Sequence, residues 1–95
     1  MELDLILERD LTTFRPPAGT ITDIHVHQND DGKWYINVRL SWRGTMLFHV
    51  GLYDKKRLRL YKKLANAVRH IVLTYAHTGM IAVHPHPDLT DKEAF

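Results

Sequence analysis

From Trp34 to Trp42 the chain alternates strictly. Trp34, Ile36, Val38, Leu40 and Trp42 are apolar, with Tyr35, Asn37, Arg39 and Ser41 between them, which is the period-two pattern of a half-buried strand. The same alternation runs upstream through Thr22, Ile24 and Val26 against Asp23, His25 and His27. Downstream it runs through Met46, Phe48, Val50 and Leu52 against Leu47, His49, Gly51 and Tyr53. Turn residues, Asn29-Asp30-Asp31-Gly32 and Arg43-Gly44, separate the three runs, so the pattern predicts a three-stranded antiparallel meander. Opposed residues must share a face. Val26 opposite Trp34 and Ile24 opposite Ile36 meet that condition in the first hairpin. In the second, a two-residue turn would set Val38 against His49, so an odd loop is expected, with Trp42 near Met46 and Val38 opposite Val50.

After Asp54, a good N-cap residue, the period changes. Leu60, Tyr61, Leu64, Ala67, Val68, Ile71, Val72 and Tyr75 fall on one side at 100° per residue, and Gly79 offers a stop. This predicts one long helix across the apolar face of the sheet, with Lys55, Arg59, Lys62, Lys63, Arg69 and His70 forming a basic ridge on its other side. At the ends, Glu2 to Arg9 reads either as a strand, by Leu3, Leu5 and Leu7, or as a helical turn, by Leu3, Ile6 and Leu7. Met80 to His84 reads as an edge strand, stopped by Pro85 and Pro87. The expected fold is α+β: a three-stranded antiparallel meander, open to extension by N- and C-terminal edge strands, packed on one long helix. It is a single domain over residues 1–95, with its core in 20–84 and an acidic tail in 88–95.

Composition agrees with a folded chain and narrows its chemistry. With 95 residues, 44% hydrophobic and 25% charged, there is material for one core and none for a large enzyme scaffold. The absence of cysteine excludes disulfides, thiolate metal sites and thiol catalysis. No apolar run is long enough to span a membrane, and Met1-Glu2-Leu3-Asp4 lacks the basic and apolar regions of an export leader. The expectation is a cytoplasmic protein with no membrane partner.

Charge is segregated. The net value of +2 hides seven acids against two bases in residues 1–31, and seven bases against Asp54 alone in residues 54–77. A basic middle between acidic ends suits an anionic partner. Solubility alone calls for mixed signs, and the predicted helix ridge is not mixed. The polar sheet face, with His25, His27, Tyr35, Asn37, Arg39, His49 and Tyr53, is a second binding surface if nothing covers it.

Catalytic and metal chemistry find less support. Ser41 is the only serine, and no phosphate loop or nucleophile elbow occurs. Among the seven histidines, Asp23, His25 and His27 share a strand face, and Asp23-Ile24-His25-Val26-His27 is similar to the first-strand string of metal-dependent amidohydrolases. That fold needs a barrel of ~250 residues. His25 and His27 could present two imidazoles to one ion, but no third or fourth ligand is identifiable. No cofactor and no stoichiometric metal are expected, and the chain is read as non-catalytic.

Gly32-Lys33-Trp34, then Val38-Arg39, then Val50-Gly51-Leu52-Tyr53-Asp54 leading into a helix resemble the three-stranded-sheet DNA-binding domains of the AP2/ERF type and the arm-binding domains of integrases. The resemblance covers residues 20–77. It implies that the exposed sheet face enters the major groove while the helix braces it from behind. It also implies that Arg39 stands at a DNA-contacting arginine, Asn37 at a contact position that is usually acidic, and His49 at one that is usually Trp. Asp23, His25 and His27 stand where that family has arginines. A second resemblance, to the double-stranded-RNA-binding domain, implies that Lys55, Lys56 and Arg59 at the helix start grip phosphates.

The function expected from sequence is therefore non-catalytic nucleic-acid binding, with DNA ahead of RNA. It would use the basic ridge of Lys55, Lys56, Arg59, Lys62, Lys63 and Arg69, or the sheet face of Arg39, Asn37, Tyr35, His49, His25 and His27. The alternative is a small phage- or plasmid-type inhibitor, anti-CRISPR-like in size and charge, that docks its basic helix on an acidic host-protein surface.

Overall fold

The structure is a computed structural model that describes residues 4–51 and 58–87. In chain order its elements are β1 (Asp4–Leu7), α1 (Glu8–Leu11), β2 (Ile21–Gln28), β3 (Trp34–Leu40), β4 (Leu47–Gly51), α2 (Leu64–Leu73) and β5 (Ala82–His84). The strands form one sheet in the order β1-β4-β3-β2-β5. Its centre is the antiparallel meander β2-β3-β4, and the edge strands β1 and β5 run parallel to β4 and β2. The N-terminal segment is a strand over Asp4–Leu7 in which Ile6, not Leu5 or Leu7, is the buried residue, and the single helical turn falls later, at Glu8–Leu11, so Ile6 and Leu7 are extended and not helical.

The faces of the meander are those the alternation predicts, but both hairpins are paired two residues away from the expected register. Val26 opposes Ile36 and Ile24 opposes Val38; Val38 in turn opposes Phe48, not Val50. A shift of two preserves the face of every side chain, so hydrophobic pattern cannot detect it. Turn chemistry decides. The Asn29 side-chain oxygen accepts the N–H groups of Asp31 and Lys33, both at 3.0 Å, and Gly32 supplies the positive φ of 83°. That tight turn lets the strands pair up to Gln28 and Trp34. An irregularity between Ile21 and Asp23 also brings Ile21 into the core and leaves Thr22 exposed.

The long helix is corrected. Its expected first part, Asp54 to Arg57, lies outside the described residues, and residues 58–61 are extended. Trp34 and Tyr61 exchange two backbone hydrogen bonds of 2.8 Å, and the Arg59 N–H donates to the Val50 carbonyl at 3.1 Å. Paired strands β3 and β4 leave backbone groups at Trp34 without a strand neighbour on that side, and a buried N–H or C=O must be satisfied. The stretch Leu58-Arg59-Leu60-Tyr61 alternates as well as it spirals, and closing the sheet wins. Helix α2 therefore begins at Leu64.

It ends at Leu73 rather than near Gly79. Ala76 takes a left-handed φ of 55°, and the His77 N–H reaches back to the Ile71 carbonyl at 3.2 Å. A β-carbon in that conformation costs roughly 1–2 kcal/mol, and glycine's extra chain entropy costs about 0.5–1. Ala76→Gly is thus expected to stabilise the fold by roughly 0.5–1 kcal/mol in urea denaturation; a loss of stability would place the helix terminus elsewhere.

The core lies between one sheet face and the two helices. Ile6, Ile24, Val26, Trp34, Ile36, Val38, Leu40, Phe48 and Val50 meet Leu11 of α1 and Ala67 and Ile71 of α2, with the fully buried Tyr75, and Tyr61 at the margin. Trp42 packs against this cluster. It lies so close to Gly19 that an added β-carbon there would fall 2.6 Å from the indole. A polar cluster ties α2 to the start of α1: the Glu8 carboxylate accepts hydrogen bonds from His70 and from the Tyr75 hydroxyl, the latter at 3.0 Å. Arg59 stands 3.7 Å from its other oxygen.

Candidate functional site

Both helices occupy the apolar side, so the opposite face of the sheet is the surface the fold leaves available. Strand alternation puts Asp23, His25 and His27 of β2, Tyr35, Asn37 and Arg39 of β3, His49 of β4 and His84 of β5 on it. Among the described residues, β1 and β5 join the sheet edge to edge and do not lie over this face.

The register aligns the rings in rows. His27 pairs with His84 on one side and Tyr35 on the other. Its ring stacks on both, at centroid distances of 4.3 Å with a 9° tilt and 5.4 Å with a 15° tilt. One residue pair along, His25 stands beside His84 with Nδ1 and Nε2 3.0 Å apart and sharing a hydrogen bond. Tyr35 then meets His49 edge-on at 5.6 Å. Rings stacked across strands stand upright on the sheet, so they present ring nitrogens and a phenolic oxygen outward rather than flat faces. Burial first, and then the charges of His84, His25 and His49, bring His27 down to about 4, so this imidazole is neutral near pH 7.

The remaining polar residues on this face are already engaged. Asn37 is buried, 6% exposed, and accepts a hydrogen bond from His49 Nδ1. It therefore braces His49 and is not itself an accessible contact, contrary to the sequence expectation. Arg39 pairs with Asp23 and donates to the Thr45 carbonyl. A concavity of about 460 Å³ lies between β2 and residues 76–80. Its Arg15 is bound to the carbonyls of Gly19 and Tyr75, and its Asp23 is the partner of Arg39.

Among the described residues, those of the basic ridge do not share one helix face. Lys55 and Lys56 lie outside the described residues. Arg59 is not helical, and its guanidinium is turned onto the Tyr61 hydroxyl at 2.8 Å and toward Glu8. His70 faces Glu8 instead of solvent. Lys62 and Lys63 are exposed in the bend before α2, leaving Arg69 as the exposed base on the helix proper. Sequence reasoning also missed His84. Its segment reads as an edge strand, but which strand it pairs with is a long-range fact that periodicity does not carry.

No known protein family, curated protein or solved structure matches the chain. Among the described residues no helix is long and apolar enough to cross a membrane.

Proposed function

We propose that this chain is a small non-catalytic nucleic-acid-binding protein whose working surface is the polar face of the sheet. The observation that carries the reading is the row His84, His27 and Tyr35, with His25 and His49 beside it, standing on a face that neither helix covers. Upright rings offer donors and acceptors that suit base edges and phosphate oxygens. The resemblance to sheet-led DNA-binding domains implies insertion into a major groove. Five strands, however, span about 19 Å from first to last, against a groove about 12 Å wide. The ligand that fits is therefore an unpaired strand laid across the sheet, with its hydrogen-bonding edges exposed. Lys62 and Lys63 would add general electrostatic attraction from outside the face.

Fluorescence anisotropy of labelled single-stranded DNA, single-stranded RNA and duplex DNA at low salt tests this. Single strands should bind more tightly than duplex, and Tyr35→Ala should weaken binding about tenfold, equivalent to about 1.4 kcal/mol. Lys62→Ala and Lys63→Ala should lower affinity alike for every sequence and flatten its salt dependence. If only the lysine variants matter, the ligand is on the other side of the molecule. If no nucleic acid binds, the reading fails. Val72 and Leu73, 47% and 72% exposed beside Arg69 on α2, favour the second reading, docking on an acidic protein surface. Charge reversal at Arg69 in a partner pull-down would test that reading.

A further inference from the structure

Three imidazoles converge at the β5 edge of the sheet. His25 and His27 are two residues apart on β2 and so point to the same side, and the parallel pairing of β5 sets His84 directly against His27. One nitrogen from each ring lies within 4.8 Å of the others, and His25 Nδ1 and His84 Nε2 are already 3.0 Å apart. Three nitrogens at Zn–N bonds of about 2.0–2.1 Å in a tetrahedral site lie ~3.3 Å from one another. The rings must therefore close by ~1.5 Å at most, within the reach of small side-chain rotations. Two of the three are half-buried and His84 is exposed, so an ion can enter from solvent.

We infer that His25, His27 and His84 form a binding site for a borderline divalent transition-metal ion of the zinc, copper or nickel class, bound by three imidazole nitrogens with one coordination position left to solvent. The donor set specifies the class. It contains only nitrogen, whereas magnesium and calcium require oxygen ligands. Asp23, the acid nearest in sequence, is held by Arg39. An ion here would also clip β5, which has three residues, to the centre of the sheet. A cross-strand stack of histidines could form for packing alone, and the two cases differ in what they bind. The inference does not depend on the nucleic-acid reading, because Tyr35 and Arg39 are not ligands and metal uptake is measured without nucleic acid.

The test is isothermal titration of the full-length, chelator-treated protein with Zn²⁺, Cu²⁺, Ni²⁺ and Mg²⁺ separately. One Zn²⁺ per chain should bind in the micromolar range or tighter, Mg²⁺ should give no saturable heat, and Zn²⁺ should raise the melting temperature. His84→Gln and His25→Gln should each weaken Zn²⁺ binding by roughly 100-fold or more, since loss of even an outer-shell partner costs 10–100-fold, whereas His77→Gln should leave it unchanged. Electron paramagnetic resonance of the Cu²⁺-loaded wild type should count three imidazole nitrogens, which keeps the proposal testable if a histidine variant fails to fold. No saturable binding of Zn²⁺, Cu²⁺ or Ni²⁺ would overturn the site. So would Zn²⁺ affinity undiminished in His84→Gln, or a copper spectrum with fewer than three nitrogens.

Discussion

Replacing Trp34 by alanine is expected to remove roughly 3–5 kcal/mol of folding stability, which is a large share of the total for a domain of this size. The indole is 3% exposed and sits in the core cluster with Ile36 and Tyr61. Its backbone is held on both sides: the strand pairs with Gln28, and Trp34 exchanges two hydrogen bonds with Tyr61. Truncation opens a cavity at the point where three segments meet, and the fixed backbone limits collapse into it. Lys33→Ala, next along the chain but exposed, should cost less than about 0.5 kcal/mol. Urea denaturation of both variants checks the assignment of faces; similar midpoints would refute it.

The second large effect is expected at Glu8. Its carboxylate receives hydrogen bonds from His70 and from Tyr75, and Tyr75 is 1% exposed. Glu8→Ala takes the carboxylate acceptor from that buried hydroxyl, which keeps its hydrogen bond with Tyr61, and removes the link between α1 and α2, at a cost of roughly 1–3 kcal/mol. Burial alone would raise the Glu8 pKa, but the hydrogen bonds of His70 and Tyr75 and the charges of His70 and Arg59 outweigh it and hold the group below its ordinary value. A carboxylate whose folded pKa is depressed contributes stability that is fully present above its unfolded pKa. That contribution is lost as pH falls through the ordinary carboxylate range toward the folded value. Melting temperature should therefore drop more steeply below pH ~4.5 in the wild type than in Glu8→Gln, which keeps an acceptor for Tyr75 but cannot titrate. Parallel acid profiles for the two proteins would show that Glu8 is not coupled to folding.

Much of this architecture is legible in the sequence, for identifiable reasons. Alternation from Ile24 to Val26, Trp34 to Leu40 and Phe48 to Val50 fixes which side chains face the core, because one face of the sheet is buried and a one-residue slip would expose all of them. A two-residue slip has no such consequence, so the alternation leads to registers two residues away from those of the fold in both hairpins, and the Asn29 turn sets that of β2 and β3. Leu60 and Tyr61 have helical spacing to Leu64, yet the Tyr61 backbone pairs with Trp34, so α2 starts later than the periodicity predicts. This is a tertiary demand that overrides local propensity. The candidate site was half visible. His25 and His27 announce themselves by their spacing, while His84 joins them only because β5 lies parallel to β2, a contact separated by 59 residues. The charge run from Lys55 to Lys63 makes a coherent ridge only on a continuous helix, and Arg59, Lys62 and Lys63 all precede the start of α2 at Leu64. In the fold, the Arg59 guanidinium donates to the Tyr61 hydroxyl and stands 3.7 Å from Glu8.

On the proposed function, ligand meets the sheet face. Backbone amide chemical shifts, followed as a single-stranded oligonucleotide is titrated into the labelled full-length protein at low salt, test it most directly. Saturable shifts centred on His25, His27, Tyr35, His49 and His84 are expected, with α2 little changed. Shifts centred on Lys62, Lys63 and Arg69, or no shifts at any ratio, would contradict it.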